Sequence, residues 1–84
     1  MSNTPATLLI VDDDVHVRQL LESLLQDQGY RTLTADSGEQ ALATVAQQPP
    51  DLILLDAMMP GTDGYQVARR LKANTSTANI PIIM

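Results

Sequence analysis

Two short apolar runs in this chain each end abruptly in aspartate. Leu8-Leu9-Ile10-Val11 leads into Asp12-Asp13-Asp14, and Leu52-Ile53-Leu54-Leu55 leads into Asp56. Short runs of β-branched and leucine residues read as strands buried on both faces, the pattern of a parallel sheet. An unpaired carboxylate is not tolerated inside such a strand, so each acid marks the point where its strand emerges. In open α/β sheets the carboxyl ends of the strands line the ligand crevice. If the two strands are neighbours, Asp12, Asp13 and Asp56 converge on one small, strongly negative pocket. Such a pocket calls for a metal cation.

The segments between the runs supply helices. A first strand is expected at Thr7–Val11, with Asp14 as the N-cap of the helix that follows. Val17, Leu20, Leu21, Leu24, Leu25 and Gln28 fall at helical spacing and predict a clear apolar face. Gly29 stands where a left-handed residue ends a helix. A second strand is expected at Arg31–Ala35. Ser37-Gly38-Glu39-Gln40 then reads as a capping box, with Ser37 at the cap and Gln40 reaching back. Ala41, Leu42 and Val45 give the second helix its buried stripe, and Pro49-Pro50 stops it. A central strand over residues 51–55 delivers Asp56 to a turn-rich loop, residues 57–64. A third helix over residues 65–73 turns Val67, Ala68 and Leu71 inward, and residues 74–79 form a loop. Ile80-Pro81-Ile82-Ile83-Met84 opens a fourth strand, with Pro81 tolerated near its start. The order β-α-β-α-β-α-β predicts an α/β fold, a doubly wound parallel sheet with right-handed crossovers.

The chain of 84 residues allows one small domain, with residues 1–6 as a flexible lead. It has two tyrosines, no Phe and no Trp, so the core must be aliphatic. The absence of cysteine excludes a disulfide framework and a thiolate metal site. No signal peptide opens the chain, and no apolar run approaches the roughly 18 residues that span a bilayer, so a soluble, cytoplasmic protein is expected. The net charge of −5 disfavours contact with a nucleic-acid backbone. Arg69, Arg70 and Lys72 read as a solvated helix face near its C-terminal end.

These features together resemble the receiver domain of two-component response regulators. The resemblance rests on Ile10-Val11-Asp12-Asp13-Asp14, Asp51-Leu52-Ile53-Leu54-Leu55-Asp56, Met59-Pro60-Gly61-Thr62-Asp63-Gly64 and Ile80-Pro81-Ile82-Ile83-Met84, in that order. It implies a flavodoxin-like sheet of strand order 2-1-3-4-5. It implies that Asp56 is the phosphoacceptor, with a histidine kinase or a histidine phosphotransfer protein as partner. It further implies a Mg²⁺ ion held by Asp13 and Asp56, by Asp12 directly or through water, and by the backbone carbonyl of Met58. Mg²⁺ suits an oxygen-only site with few carboxylates and retained waters. Such a domain is a phosphoacceptor and not an enzyme in its own right.

The family's Ser or Thr at the end of strand four and Lys at the end of strand five fall beyond residue 84, as do its fourth helix, fifth strand and fifth helix. The chain is therefore expected to be an incomplete receiver. Its open sheet edge and uncovered apolar surface predict a homo-oligomer. The alternative function is a phosphorylation-deficient fragment that acts only as an oligomerising interaction element. A Mg²⁺-dependent phosphatase is a further reading, disfavoured by Met58 where such enzymes carry a second acid. Of the remaining candidates, Asp14 reads as a cap, Asp63-Gly64 as turn chemistry, and His16 as a solvent-facing helix residue. Met58 and Met59 read as packing.

Overall fold

The computed structural model describes residues 4–61 and 63–84. Strands and helices alternate along it: β1 (Thr7–Val11), α1 (Val15–Asp27), β2 (Arg31–Ala35), α2 (Gly38–Gln47), β3 (Leu52–Leu55), α3 (Gly64–Ala73) and β4 (Ile82–Ile83). The strands form one parallel sheet of order β2-β1-β3-β4. The chain moves from β1 outward to β2, then crosses back to β3, so strand order reverses between β1 and β3. This is the flavodoxin-like α/β arrangement expected of the sequence. Its ligand crevice lies at that reversal.

Alternation along the strands divides the apolar side chains between two faces. Leu9, Val11, Ala35, Ile53 and Leu55 pack against Ala41 and Val45 of α2 and Val67 and Leu71 of α3, with Met59 closing the end of the cluster. Leu9, Ile53 and Val67 are fully enclosed. The other face is thinner. Leu21 of α1 shares a groove with Ile10, Leu54 and Ile83, but Leu20 and Leu24 stay 60% and 53% exposed. The helical spacing located α1, yet the expected buried face is only partly realised, because one edge of its stripe has no element packed against it among the described residues.

The caps follow the sequence closely. Asp14 accepts hydrogen bonds from the His16 and Val17 N–H groups and starts α1. Gly29 takes φ of +90° just beyond its end. Ser37 accepts from the Gln40 N–H, while the Gln40 side chain accepts the Asp36 N–H rather than that of Ser37. The box is thus displaced by one residue. Leu42 is half-buried against the core, at the margin of the α2 stripe. α3 begins one residue early, at Gly64, because Asp63 accepts the Gln66 N–H as its cap.

Two strands are shorter than the sequence predicts. Asp51 lies just outside β3 and forms a reciprocal pair with Thr7, donating its N–H to the Thr7 carbonyl and accepting the Thr7 N–H through Oδ2. Pro81 has no N–H to give, and β4 is limited to two residues, although the Pro81 carbonyl accepts the Ile53 N–H. Lys72 is not simply solvated: its Nζ donates to the carbonyls of Ala78 and Ile80 and gathers the loop before β4. Thr77, buried in that loop, donates its hydroxyl to the Leu71 carbonyl. Of the lead expected at residues 1–6, residues 1–3 lie outside the described residues, as does Thr62 of the motif loop. Ala6 is tied to β2 through the Arg31 N–H.

The asymmetry of the two faces has a measurable consequence. Ile53→Ala should cost about 2–5 kcal/mol by emptying a fully packed site. Leu20→Ala should stay within about 0.5 kcal/mol, as surface changes usually do. Urea unfolding of the two variants beside the parent checks this, and equal losses would contradict the assignment of the main core to the α2–α3 face.

Candidate metal centre

The last ladder bonds of the sheet set the site. The Asp12 N–H donates to the Ala35 carbonyl at 3.1 Å, and the Asp56 N–H donates to the Val11 carbonyl at 2.9 Å. Each acid is therefore fixed by its backbone to the neighbouring strand while its side chain leaves the sheet at the carboxyl edge. In the register of β1 with β3, Val11 stands beside Leu55, so Asp12 and Asp56 emerge side by side. Carboxylate oxygens of Asp12, Asp13 and Asp56 lie within 4.8 Å of one another. Asp12 and Asp56 are half-buried and Asp13 is exposed.

Short-range hydrogen bonds orient two of the three. Asp12 accepts the Asp14 N–H through Oδ1 at 2.9 Å, and Asp56 accepts the Met58 N–H through Oδ1 at 3.0 Å. Both are side chain-to-backbone turns that lock the carboxylate of an aspartate against the residue two positions on. Arg18 donates from Nη1 to the Asp12 carbonyl at 2.7 Å, which ties the first turn of α1 to the acidic corner. Arg18 was not singled out from the sequence. Its only signal there is its place one turn after the cap.

The other candidates separate cleanly. Met58 lies next to the acids, lining with Asp13, Pro60 and Tyr65 an open pocket, but the residue is 83% exposed. The expectation that both methionines pack therefore holds for Met59, which is buried, and fails for Met58. Met58 follows the sheet edge at the point where the chain turns outward, beyond the reach of the core. Asp14 turns away to cap α1, and the backbone N–H groups of His16 and Val17 hold its carboxyl below the ordinary value of 3.8. His16 points to solvent.

Three carboxylates with nothing but oxygen donors suit a hard divalent cation such as Mg²⁺, and the absence of His and Cys from the cluster argues against softer metals. The donor chemistry therefore fits Mg²⁺. The same residues lie where a crevice ligand would sit, so one ion there would face both the protein and a bound anion.

Comparison with known proteins agrees with this geometry. The family model for the response regulator receiver domain matches residues 8–84. The phosphate regulon transcriptional regulatory protein PhoB of Pseudomonas aeruginosa is 49% identical over 78 residues, which is 93% of this chain and 34% of that protein. The response regulator PleD of Caulobacter vibrioides is 48% identical over 80 residues, 94% of this chain and 17% of that protein. The chain thus spans about a third or less of the length of these relatives. Among solved structures, the N-terminal domain of a response regulator receiver protein from Methanoculleus marisnigri superposes with a TM-score of 0.90 at 40% identity, over 92% of this chain and 63% of that one. The chemotaxis protein CheY4 of Vibrio cholerae gives 0.89 at 33% identity, over 93% and 65%.

Like charges this close repel, by about 1 kcal/mol per pair at roughly 4 Å in water and more where water is partly excluded. Asp56→Asn keeps an oxygen for the Met58 N–H while removing one charge. In Mg²⁺-free buffer it should raise the unfolding free energy by about 1 kcal/mol, with the gain shrinking as salt is added. Thermal unfolding across a salt series checks this, and a destabilised or salt-insensitive variant would contradict the charge argument.

Proposed function

Because this chain belongs to the response regulator receiver domain family, we propose that Asp56 accepts a phosphoryl group from a histidine kinase or histidine phosphotransfer protein. Asp12, Asp13 and Asp56 itself, with the Met58 carbonyl, would hold the Mg²⁺ that the transfer requires. The observation that carries the reading is the convergence of the three carboxylates at the β1–β3 crevice.

In the transfer, a carboxylate oxygen of Asp56 attacks the phosphorus of a phosphohistidine. A P–O bond forms as the P–N bond breaks, and the electron pair leaves on the imidazole nitrogen, which takes up a proton from solvent. Met58 holds Oδ1 through its N–H and so fixes the carboxylate plane, leaving Oδ2 to act as the nucleophile. Bound Mg²⁺ supplies positive charge that offsets repulsion between carboxylate and phosphoryl oxygens and steadies the charge of a loose transition state. Asp12 and Asp13 keep that charge next to the nucleophile. The product is a mixed anhydride on the protein itself, so the domain is a stoichiometric phosphoacceptor and not a turnover enzyme. The partner is a protein, since an acidic chain of net charge −5 does not favour a phosphate backbone. No described helix is long and apolar enough to cross a membrane. The reading places the domain in the cytoplasm, beside phosphodonors and Mg²⁺.

Intact-mass analysis after incubation with acetyl phosphate and Mg²⁺ tests the reading. One phosphoryl adduct is expected on the parent chain, and none when Mg²⁺ is chelated or in Asp56→Asn. An adduct that persists in Asp56→Asn would overturn the assignment of Asp56, and no adduct on the folded parent would favour the phosphorylation-deficient alternative.

A further inference from the structure

Gly64 makes a contact that its place in a turn motif does not explain. It is buried at the first position of α3, and its N–H donates to the Ala57 carbonyl at 3.2 Å. A Cβ at this position would run into the carbonyl oxygen of Asp56 and lie 2.8 Å from Ala57 Cα and 3.1 Å from the Asp56 carbonyl carbon. These are backbone atoms, so no flexible side chain can swing aside. Backbone conformation is not the reason for glycine here. Gly29 and Gly61 adopt φ of +90° and +80° with open space around them, whereas Gly64 is helical and crowded.

The geometry points to Gly64 as the residue that positions the Asp56–Met58 segment for cation binding, an inference that rests on the proposed Mg²⁺ site. On one side the Asp56 N–H is held by Val11 of β1. On the other, the start of α3 lies directly against the Asp56–Ala57 peptide, and the Asp63 cap fixes where that helix starts. The segment is thus clamped between a strand and a helix. Ala57 leads into Met58, whose N–H orients the Asp56 carboxylate and whose carbonyl is the further ligand proposed above. A methyl group at position 64 must push the peptide or the helix away. Asp12 and Asp13 follow β1 and stay in place, so the three carboxylates lose their mutual spacing. Groups that orient metal ligands typically matter by about 10- to 100-fold in affinity. Gly64 is a positioning residue and touches no ligand itself.

Isothermal titration with Mg²⁺ of the parent, Gly64→Ala and Leu71→Ala provides the test. Leu71 is buried on the same helix two turns away, so its truncation loosens α3 without crowding the Asp56 peptide. Expected are an affinity loss of about 10-fold or more for Gly64→Ala and a change within about 2-fold for Leu71→Ala. Parent-like affinity in Gly64→Ala, or equal losses in both variants, overturns the inference while leaving the Mg²⁺ site intact. No saturable binding by the parent removes the site itself and the inference with it. If Gly64→Ala does not fold, the parent answers the same question by nuclear magnetic resonance. Mg²⁺ should then shift the amide signals of Gly64, Ala57 and Met58 together, and a Gly64 signal that stays fixed while Met58 moves overturns the inference.

Discussion

The mutual repulsion of Asp12, Asp13 and Asp56 is the constraint around which this small domain is arranged. Three carboxylates whose oxygens come within 4.8 Å do not gather by themselves, and free rotation would let them part. The sheet prevents it. Parallel pairing of β1 with β3, in a register that places Val11 beside Leu55, sends Asp12 and Asp56 out at the same level. The ladder bonds to Ala35 and Val11 then anchor both backbones. Conformational strain is not needed to hold the cluster, since rigid backbone and two local side-chain turns suffice. A divalent cation held there would turn the same repulsion into binding energy.

The rest of the fold serves that rigidity unequally. The α2–α3 face carries the enclosed core, and Val67, Leu71 and Met59 seat α3 and the loop before it against β3. This is the side that fixes Asp56. The α1 face is open along Leu20 and Leu24, yet the beginning of α1 is well fastened, by the Asp14 cap and by Arg18 on the Asp12 carbonyl. At its other end the Gln26 side chain donates to the Thr32 hydroxyl of β2, so both ends of the helix are fastened to the sheet.

Much of this was readable from residue order. The apolar runs with terminal acids placed two strands and the crevice, because a buried strand cannot carry an unpaired charge past its end. Asp14, Ser37 and Gly29 located helix ends, because caps are local chemistry. What stayed hidden was tertiary. Periodicity showed which side of α1 is apolar but not how little of it would be covered. The reach of Gln40 to Asp36, one residue beyond the expected partner, depends on the angle at which β2 enters α2. Lys72 looked solvated until the loop before β4 brought two carbonyls within its reach. Gly64 belonged to a recognisable motif, but its close approach to Asp56 joins elements whose packing no local pattern encodes.

On the proposed mechanism one divalent cation answers the charge of these three aspartates. Paramagnetic relaxation with Mn²⁺ in place of Mg²⁺ tests it most directly, because broadening of amide signals falls steeply with distance from the ion. Substoichiometric Mn²⁺ should first broaden Asp12, Asp13, Asp56, Ala57 and Met58, and excess Mg²⁺ should restore them. Broadening centred on other acids such as Asp27, Asp36 or Asp51, or spread evenly over the acidic surface, would contradict it.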